Sequence, residues 1–339
     1  MHVGTHKTGT TAIQRFFAAN DEWLTGAGIY YPRRGRWTHS TPGHHNVAFE
    51  LTDDPRFDAA AGTLHDVIAE IATVAPMRAC LSSEQFGYLH ESQGALVALR
   101  DAIAAIGYRP RIIVYVRAQD EYAESLYAES VKHDETLPFS RYLDDVIREG
   151  AIIRPRSELR ARRVSRFDYV DLVEPFAQAF GSDAVAVRGY RDAGRADSLV
   201  HDFLDAVEMA GRLPSGLVAE GATYDNRRLT TGRVITSLFM NTEALEVGSM
   251  LSALGRELVA RDEDAASQPF APLGPSERAR IAQRFAASNA RLVRDWNVAP
   301  GTFEPHGGAG SDSEPARRAR SLFALAEAVR VQRMLPRGA

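Results

Sequence analysis

Lysine is nearly absent from this chain: Lys7 and Lys132 are the only two, while arginine supplies the remaining cationic side chains. A lysine is a compact point charge and an arginine a planar fork, so the two are not equivalent at a tight phosphate site. Lys7 falls inside Gly4-Thr5-His6-Lys7-Thr8-Gly9-Thr10-Thr11. A glycine-rich turn feeding a helix N-terminus presents backbone N–H groups and the positive end of the helix dipole. Lys7 adds a mobile cation, and Thr8, Thr10 and Thr11 add hydroxyls, which together suit a phosphate cradle. The turn is not a Walker A loop, which requires G-x-x-x-x-G-K-[ST], because His6 stands before Lys7. The plainer alternative is a tight turn whose threonines cap a helix.

Two further constellations follow. Arg117 closes the apolar run Ile112–Val116, and Ser125 lies eight residues later in the second turn of an expected helix. A guanidinium fork and a hydroxyl can hold one phosphate together; the alternative for Arg117 is a surface charge. Ser82-Ser83-Glu84 ends another short strand. There a carboxylate is placed either as a general base or as a helix-capping or ion-pairing residue. Four histidines, His6, His39, His44 and His45, lie in or near the first loops. His45 is a candidate on the acceptor side. No histidine has HExxH spacing, and no metal site is assigned. Lys132, at the expected end of the Arg117/Ser125 helix, either reaches a ligand or faces solvent beside the helix C-terminus.

The elements that must position these groups follow from periodicity. The chain opens as strand, glycine-rich turn and helix, the helix running from Ala12 to Leu24. Helical spacing returns at Leu64–Val74 and at Leu96–Ile106 before Gly107. Ala79–Ser83 reads as a short buried strand, and Ile112–Val116 as a central parallel strand, β-branched and uncharged. Helices are expected at 120–132, 139–148, 172–180, 198–209, 229–260 and 275–296, with short strands ending near Asp168 and spanning Val185–Arg188. Strands alternating with helices predict an α/β fold: a P-loop-like central parallel sheet flanked by helices, with a mainly helical C-terminal part. Ligands of such sheets sit at the carboxyl ends of the strands, where all three constellations fall. One α/β domain is expected over residues 1–300. A Gly/Ser/Pro-rich linker follows at 301–315, then a basic amphipathic helix over 316–339 that is either a surface-binding tail or a packing helix.

In order along the chain, the three constellations resemble the PAPS-dependent sulfotransferases, PAPS being 3'-phosphoadenosine 5'-phosphosulfate. The similarity is to the bacterial, carbohydrate-type branch. Gly28-Ile29-Tyr30-Tyr31-Pro32, the stretch 187–203 and Tyr224-Asp225-Asn226-Arg227-Arg228-Leu229 are similar to that family too, so the resemblance covers roughly residues 1–240. It implies that His6, Lys7, Thr8, Gly9, Thr10 and Thr11 hold the 5'-phosphosulfate of PAPS. It also implies that Arg117 and Ser125 hold the 3'-phosphate and that Arg227 touches the nucleotide. Lys7 would neutralise the departing phosphate and Glu84 take the acceptor's proton, with no metal. The implied partner is a small-molecule or glycan acceptor carrying a hydroxyl or amine. Two other readings use the same residues. One is a nucleotide-dependent kinase or NTPase with Asp168 as its metal-binding acid. The other is a non-catalytic nucleotide- or glycan-binding module.

Composition narrows the field. The chain has 339 residues, 45% hydrophobic and 25% charged, with a formal net charge of −4, an ordinary globular balance with no whole-chain attraction to nucleic acid. Cys80 is the sole cysteine, so no internal disulfide forms, and it is expected in the core. No basic stretch followed by an apolar run opens the chain, and no segment approaches the ~20 apolar residues of a membrane span. A cytoplasmic location is the default expectation. Acceptor identity and oligomeric state are not legible in the sequence.

Overall fold

The computed structural model describes residues 1–37, 41–133, 135–155, 162–190, 196–209, 229–245, 250–304 and 313–334. Eight strands appear along them: β1 (His2–Val3), β2 (Ile29–Tyr30), β3 (Arg78–Ala79), β4 (Ser82–Ser83), β5 (Ile112–Val116), β6 (Ala151–Pro155), β7 (Arg162–Arg166) and β8 (Val185–Gly189). Four of them form a parallel sheet in the order β4-β1-β5-β8; β2 pairs with β3, and β6 with β7. The expected α/β fold with a central parallel sheet flanked by helices is therefore present.

The chain divides into two compact units. The first comprises Met1–Arg117, Ile153–Asp225 and Ala287–Thr302; the second comprises Ala118–Ile152, Asn226–Ala286 and Phe303–Ala339.

The first unit holds the four-stranded sheet. Side chains of a strand alternate between faces, and β5 shows how that builds two layers. Ile113 and Tyr115 join a buried cluster with Ile13, Phe16 and Phe17 of the helix Thr10–Ala19 and with Leu199, Val200 and Phe203 of the helix Ala196–Ala206. The alternate residues Ile112, Val114 and Val116 are equally buried, on the other face. The helix Tyr169–Phe180 contacts β5 and β8 and packs against Gln93–Ala105. Helices after β1 and after β4 thus take opposite faces, and strand order reverses around β1. A doubly wound sheet leaves its ligand crevice at such a reversal, outside the carboxyl ends of the strands.

Local chemistry explains where elements begin and stop. Thr63 and Asp66 cap the helix Leu64–Val74 reciprocally, with the Thr63 N–H donating to Asp66 Oδ2 at 2.8 Å and the Asp66 N–H donating to Thr63 Oγ1 at 3.1 Å. The single helix expected over Ala12–Leu24 is instead two, Thr10–Ala19 and Asp21–Gly26. Asn20 separates them: its backbone leaves the helical region at φ −118°, ψ 25°, while its N–H and its side-chain amide both donate to the Phe16 carbonyl, at 3.1 and 2.8 Å. Ala79–Ser83 is likewise two strands. Cys80 N–H bonds the Tyr30 carbonyl, whereas His2 N–H bonds the Leu81 carbonyl, so the run changes sheets between Cys80 and Leu81. Cys80 itself is buried, and burial pushes its thiol up to about 11. The expected helix over 229–260 is also two, Thr231–Leu245 and Leu251–Ala260.

The second unit is mainly helical. Tyr127, Phe139, Tyr142, Phe270 and Phe323 form its aromatic core. The C-terminal helix Glu314–Met334 starts two residues earlier than expected and packs Ala319, Leu322, Phe323 and Ala326 inward, which favours the packing-helix reading. Of the expected linker, residues 301–303 belong to the turn Pro300–Phe303, and 305–312 lie outside the described residues. Among the described residues no helix is long and apolar enough to cross a membrane.

Arg330 is fully buried on this helix. It donates to the Thr136 carbonyl (2.7 Å), Thr242 Oγ1 (3.0 Å) and Glu327 Oε1 (2.9 Å), while the Glu327 carboxylate also accepts the Phe139 N–H. Removing one member of a buried pair strands the other charge, at a cost of about 3–5 kcal/mol. Arg330→Met should lower unfolding stability by that order in urea titration. Adding Glu327→Met should recover part of the loss. A single substitution worth under about 1 kcal/mol would show that the pair does not anchor the helix.

Candidate functional site

Four segments leave the carboxyl edge of the sheet in the first unit: Gly4–Gly9 after β1, Glu84–Glu91 after β4, Arg117 after β5 and Tyr190 after β8. Gly4 extends the β1–β4 ladder, its N–H bonding the Ser83 carbonyl at 3.2 Å. Thr5 Oγ1 then donates to the Tyr115 carbonyl of β5 at 2.8 Å, and Thr8 Oγ1 donates back to the Thr5 carbonyl at 2.7 Å. The Thr8 hydroxyl is thus spent inside the turn, and Thr8 has only its backbone left to offer a ligand.

Lys7 and Gly9 both adopt left-handed backbone, with φ of 65° and 77°. Left-handed residues flank Thr8, a backbone alternation of the kind found in anion-binding nests. Lysine rarely accepts such a φ, so the surrounding contacts must hold it there. One is the Arg117 guanidinium, whose Nη1 donates to the Lys7 carbonyl at 3.0 Å. Gly9 then serves as the N-cap of the helix Thr10–Ala19, which has neither a side-chain cap nor an acidic residue in its first turn. The positive helix end is therefore not neutralised by the helix's own sequence. Gly9 is favoured by its φ of 77°, and a Cβ on it would lie 2.3 Å from Leu199 Cδ2; a Cβ on Gly4 would lie 2.3 Å from Thr10 Oγ1, so the Thr10 side chain would have to move.

Glu84 opens a short 3-10 helix, Glu84–Glu91, whose N-cap Ser83 accepts the Gln85 N–H at 3.0 Å. Ser83, and not Glu84, is thus the cap. This helix lies along the turn. A Cβ on Gly4 would meet the Glu84 α-carbon at 3.2 Å, and one on Gly87 would meet the Gly4 carbonyl at 3.1 Å. His6 Nε2 and the Tyr88 hydroxyl share a hydrogen bond of 2.6 Å.

Arg117 is 4% exposed, a buried residue and not the surface charge that an arginine after a strand often is. Its guanidinium carbon lies 5.3 Å from the centroid of the Tyr190 ring, and the Tyr190 N–H continues the β5–β8 ladder to the Val116 carbonyl. His6, Lys7, Thr8, Gly9, Thr10, Thr11, Glu84 and Arg117 are all brought to one edge of one unit. Ser125 is half-buried in the helix Gln119–Val131 of the second unit. Arg227 and His39 lie outside the described residues. Lys132 faces solvent and pairs with Glu129 at 2.8 Å. Asp168 caps the helix Tyr169–Phe180, accepting the Val170 N–H and the Ser288 hydroxyl. Tyr88 and the burial of Arg117 had no signal in the sequence, because both depend on which segments become neighbours.

Among the described residues of the first unit, two cavities lie against the sheet. The larger, about 500 Å³, is lined by Met1, Ile29, Cys80, Arg111 and Glu208 at the amino ends of the strands, remote from the turn. The smaller, about 470 Å³, lies beside the end of β8 and includes Leu199, the residue that packs on Gly9. Its wall carries Asp202, bonded by the Tyr115 hydroxyl (2.6 Å) and by Arg188 Nε (2.7 Å). Size does not decide between them; adjacency to the turn favours the second.

The histidines next to the site are structural. His45 is buried, with Nδ1 2.7 Å from Ser83 Oγ and Nε2 2.8 Å from Thr41 Oγ1. His44 Nδ1 accepts the Ser82 N–H at 3.2 Å, and its Nε2 lies 3.0 Å from the Pro32 carbonyl. Burial first, then nearby Arg56 and His6, lowers His45 to about 4; burial and then Arg36 lower His44 to about 3. Both rings are neutral at pH 7.

No protein-family model, curated protein or solved structure matches this chain.

The depressed histidines set a pH dependence of stability. Their folded values lie below the ordinary value near 6.5, so the unfolded chain binds protons first. Their contribution is fully present above about pH 6.5 and is lost as pH falls toward 4. Urea midpoints should therefore fall steadily between pH 6.5 and 4, and the fall should be shallower in His44→Asn and His45→Asn. Parallel curves for wild type and both variants would show that these rings are not buried neutral.

Proposed function

We propose that this chain is a sulfotransferase: it transfers a sulfuryl group from PAPS to a hydroxyl or amine of a small-molecule or glycan acceptor. The observation that carries the reading is the left-handed turn through Lys7 and Gly9. It lies at an uncapped helix N-terminus, strapped by buried Arg117 and lined by the segment that begins with Glu84.

Such a turn favours the oxygens of the 5'-phosphosulfate through backbone N–H groups and the helix dipole. In the transfer, an acceptor oxygen attacks sulfur in line. The new S–O bond forms as the bond from sulfur to the bridging oxygen breaks, and adenosine 3',5'-bisphosphate departs with that electron pair. The Lys7 ammonium neutralises the charge growing on the bridging oxygen, an electrostatic contribution available without reorganisation. The Glu84 carboxylate takes the acceptor's proton. The cavity sharing Leu199 with Gly9 gives the adenosine half room beside the turn. Asp168, the acid a kinase reading would need, is engaged as a helix cap, which supports transfer of sulfuryl over phosphoryl groups.

Isothermal titration with adenosine 3',5'-bisphosphate, with no metal added, tests the donor site. Wild type should bind and Lys7→Ala should weaken binding about 10-fold or more, as expected for losing a charge-assisted contact. Glu84→Gln should leave that affinity unchanged while lowering transfer by about 10²–10⁴-fold once an acceptor is in hand. No binding of the bisphosphate, with binding of ATP and magnesium in its place, would replace this reading with the kinase one.

A further inference from the structure

The turn that carries Lys7 and the segment that carries Glu84 are joined at three levels. Gly4 N–H bonds the Ser83 carbonyl at 3.2 Å. A Cβ on Gly4 would come within 3.2 Å of the Glu84 α-carbon, and one on Gly87 within 3.1 Å of the Gly4 carbonyl, so the two backbones run close together. Beyond them the His6 ring meets the Tyr88 hydroxyl at 2.6 Å, with ring centroids 5.5 Å apart. The His6–Tyr88 bond ties the two segments beyond these glycines, one residue before Lys7 and four after Glu84.

We propose that Tyr88 is a positioning residue, locking the Gly4–Gly9 turn through His6 against the segment of Glu84 and so fixing Lys7 relative to that carboxylate. The role rests on the proposed function for its catalytic meaning, but the clamp itself is a property of the chain. A left-handed lysine is strained. Arg117 holds it from the β5 side through the Lys7 carbonyl, and Tyr88 holds its neighbour from the β4 side. Tyr88 needs no contact with substrate to matter, because a small displacement of a charged group away from the reacting atoms is costly in rate.

The test has a readout that does not depend on any ligand. In Tyr88→Phe, amide hydrogen exchange of residues 5–10 should accelerate about 10-fold, while the thermal midpoint stays within about 2 °C. Binding of adenosine 3',5'-bisphosphate should weaken about 5- to 10-fold, the worth of one hydrogen bond in ordering the turn. Adenosine 3'-monophosphate, which lacks the group the turn holds, should bind as before. His6→Asn should accelerate the same exchange as Tyr88→Phe, and in the double variant that exchange should be no faster than in either alone. Unchanged exchange, additive acceleration, or equal weakening of both nucleotides would overturn the clamp. If wild type binds neither nucleotide, the donor reading falls, and the exchange result alone decides the clamp.

Discussion

A turn of six residues, Gly4 to Gly9, must enter the left-handed region twice, once at a lysine. The sheet is what makes that tolerable. Ser83 of β4 receives the Gly4 N–H, the Tyr115 carbonyl of β5 receives the Thr5 hydroxyl, and Arg117 just beyond β5 reaches back to the Lys7 carbonyl. Each flanking strand contributes an anchor, so the turn is specified by the order β4-β1-β5 and would have no reason to persist without it. The cost of an unfavourable φ at Lys7 is of order 1–3 kcal/mol, within the range two or three such bonds can offset.

That dependence explains the geometry around the turn. The glycines are where other atoms come close: Thr10 and Glu84 over Gly4, Leu199 over Gly9, the Gly4 carbonyl over Gly87. The same crowding leaves Thr10 Oγ1 buried with no hydrogen-bond partner. A hydroxyl in that state is a net cost unless its O–H finds an acceptor. Its place in the first turn of an uncapped helix makes it part of the same polar cradle as the N–H groups beside it.

Much of this frame was legible in the sequence. The uncharged run Ile112–Val116, the 3.6-residue periodicities of Leu64–Val74 and 275–296, and the glycine-rich opening gave the parallel sheet and its carboxyl edge. Candidate residues were legible as types at strand ends. Two kinds of fact were not. The backbone of Asn20 leaves the helical region and breaks a helix whose apolar pattern runs through it. Partnership in space decides the rest: Ala79–Ser83 has one apolar signature yet serves two sheets, Arg117 is buried although its residue type favours the surface, and Tyr88 gains its role from His6, eighty-two positions away.

Charge at the site follows from burial as much as from composition. The chain as a whole is acidic, at −4, yet the turn gathers positive potential from a helix end, Lys7 and Arg117. The nearby rings of His44 and His45 do not add to it at neutral pH, because burial keeps both uncharged and their nitrogens are engaged with Ser82, Ser83, Thr41 and Pro32. What these histidines supply is rigidity beneath β4, the strand whose end presents Glu84. Lys7 lies in the turn after one strand and Glu84 at the end of its neighbour, so a cation and a carboxylate belong to one sheet edge. Under the proposed function that pairing serves the leaving anion and the acceptor's proton. Here it rests on backbone register, glycine contacts and buried neutral rings.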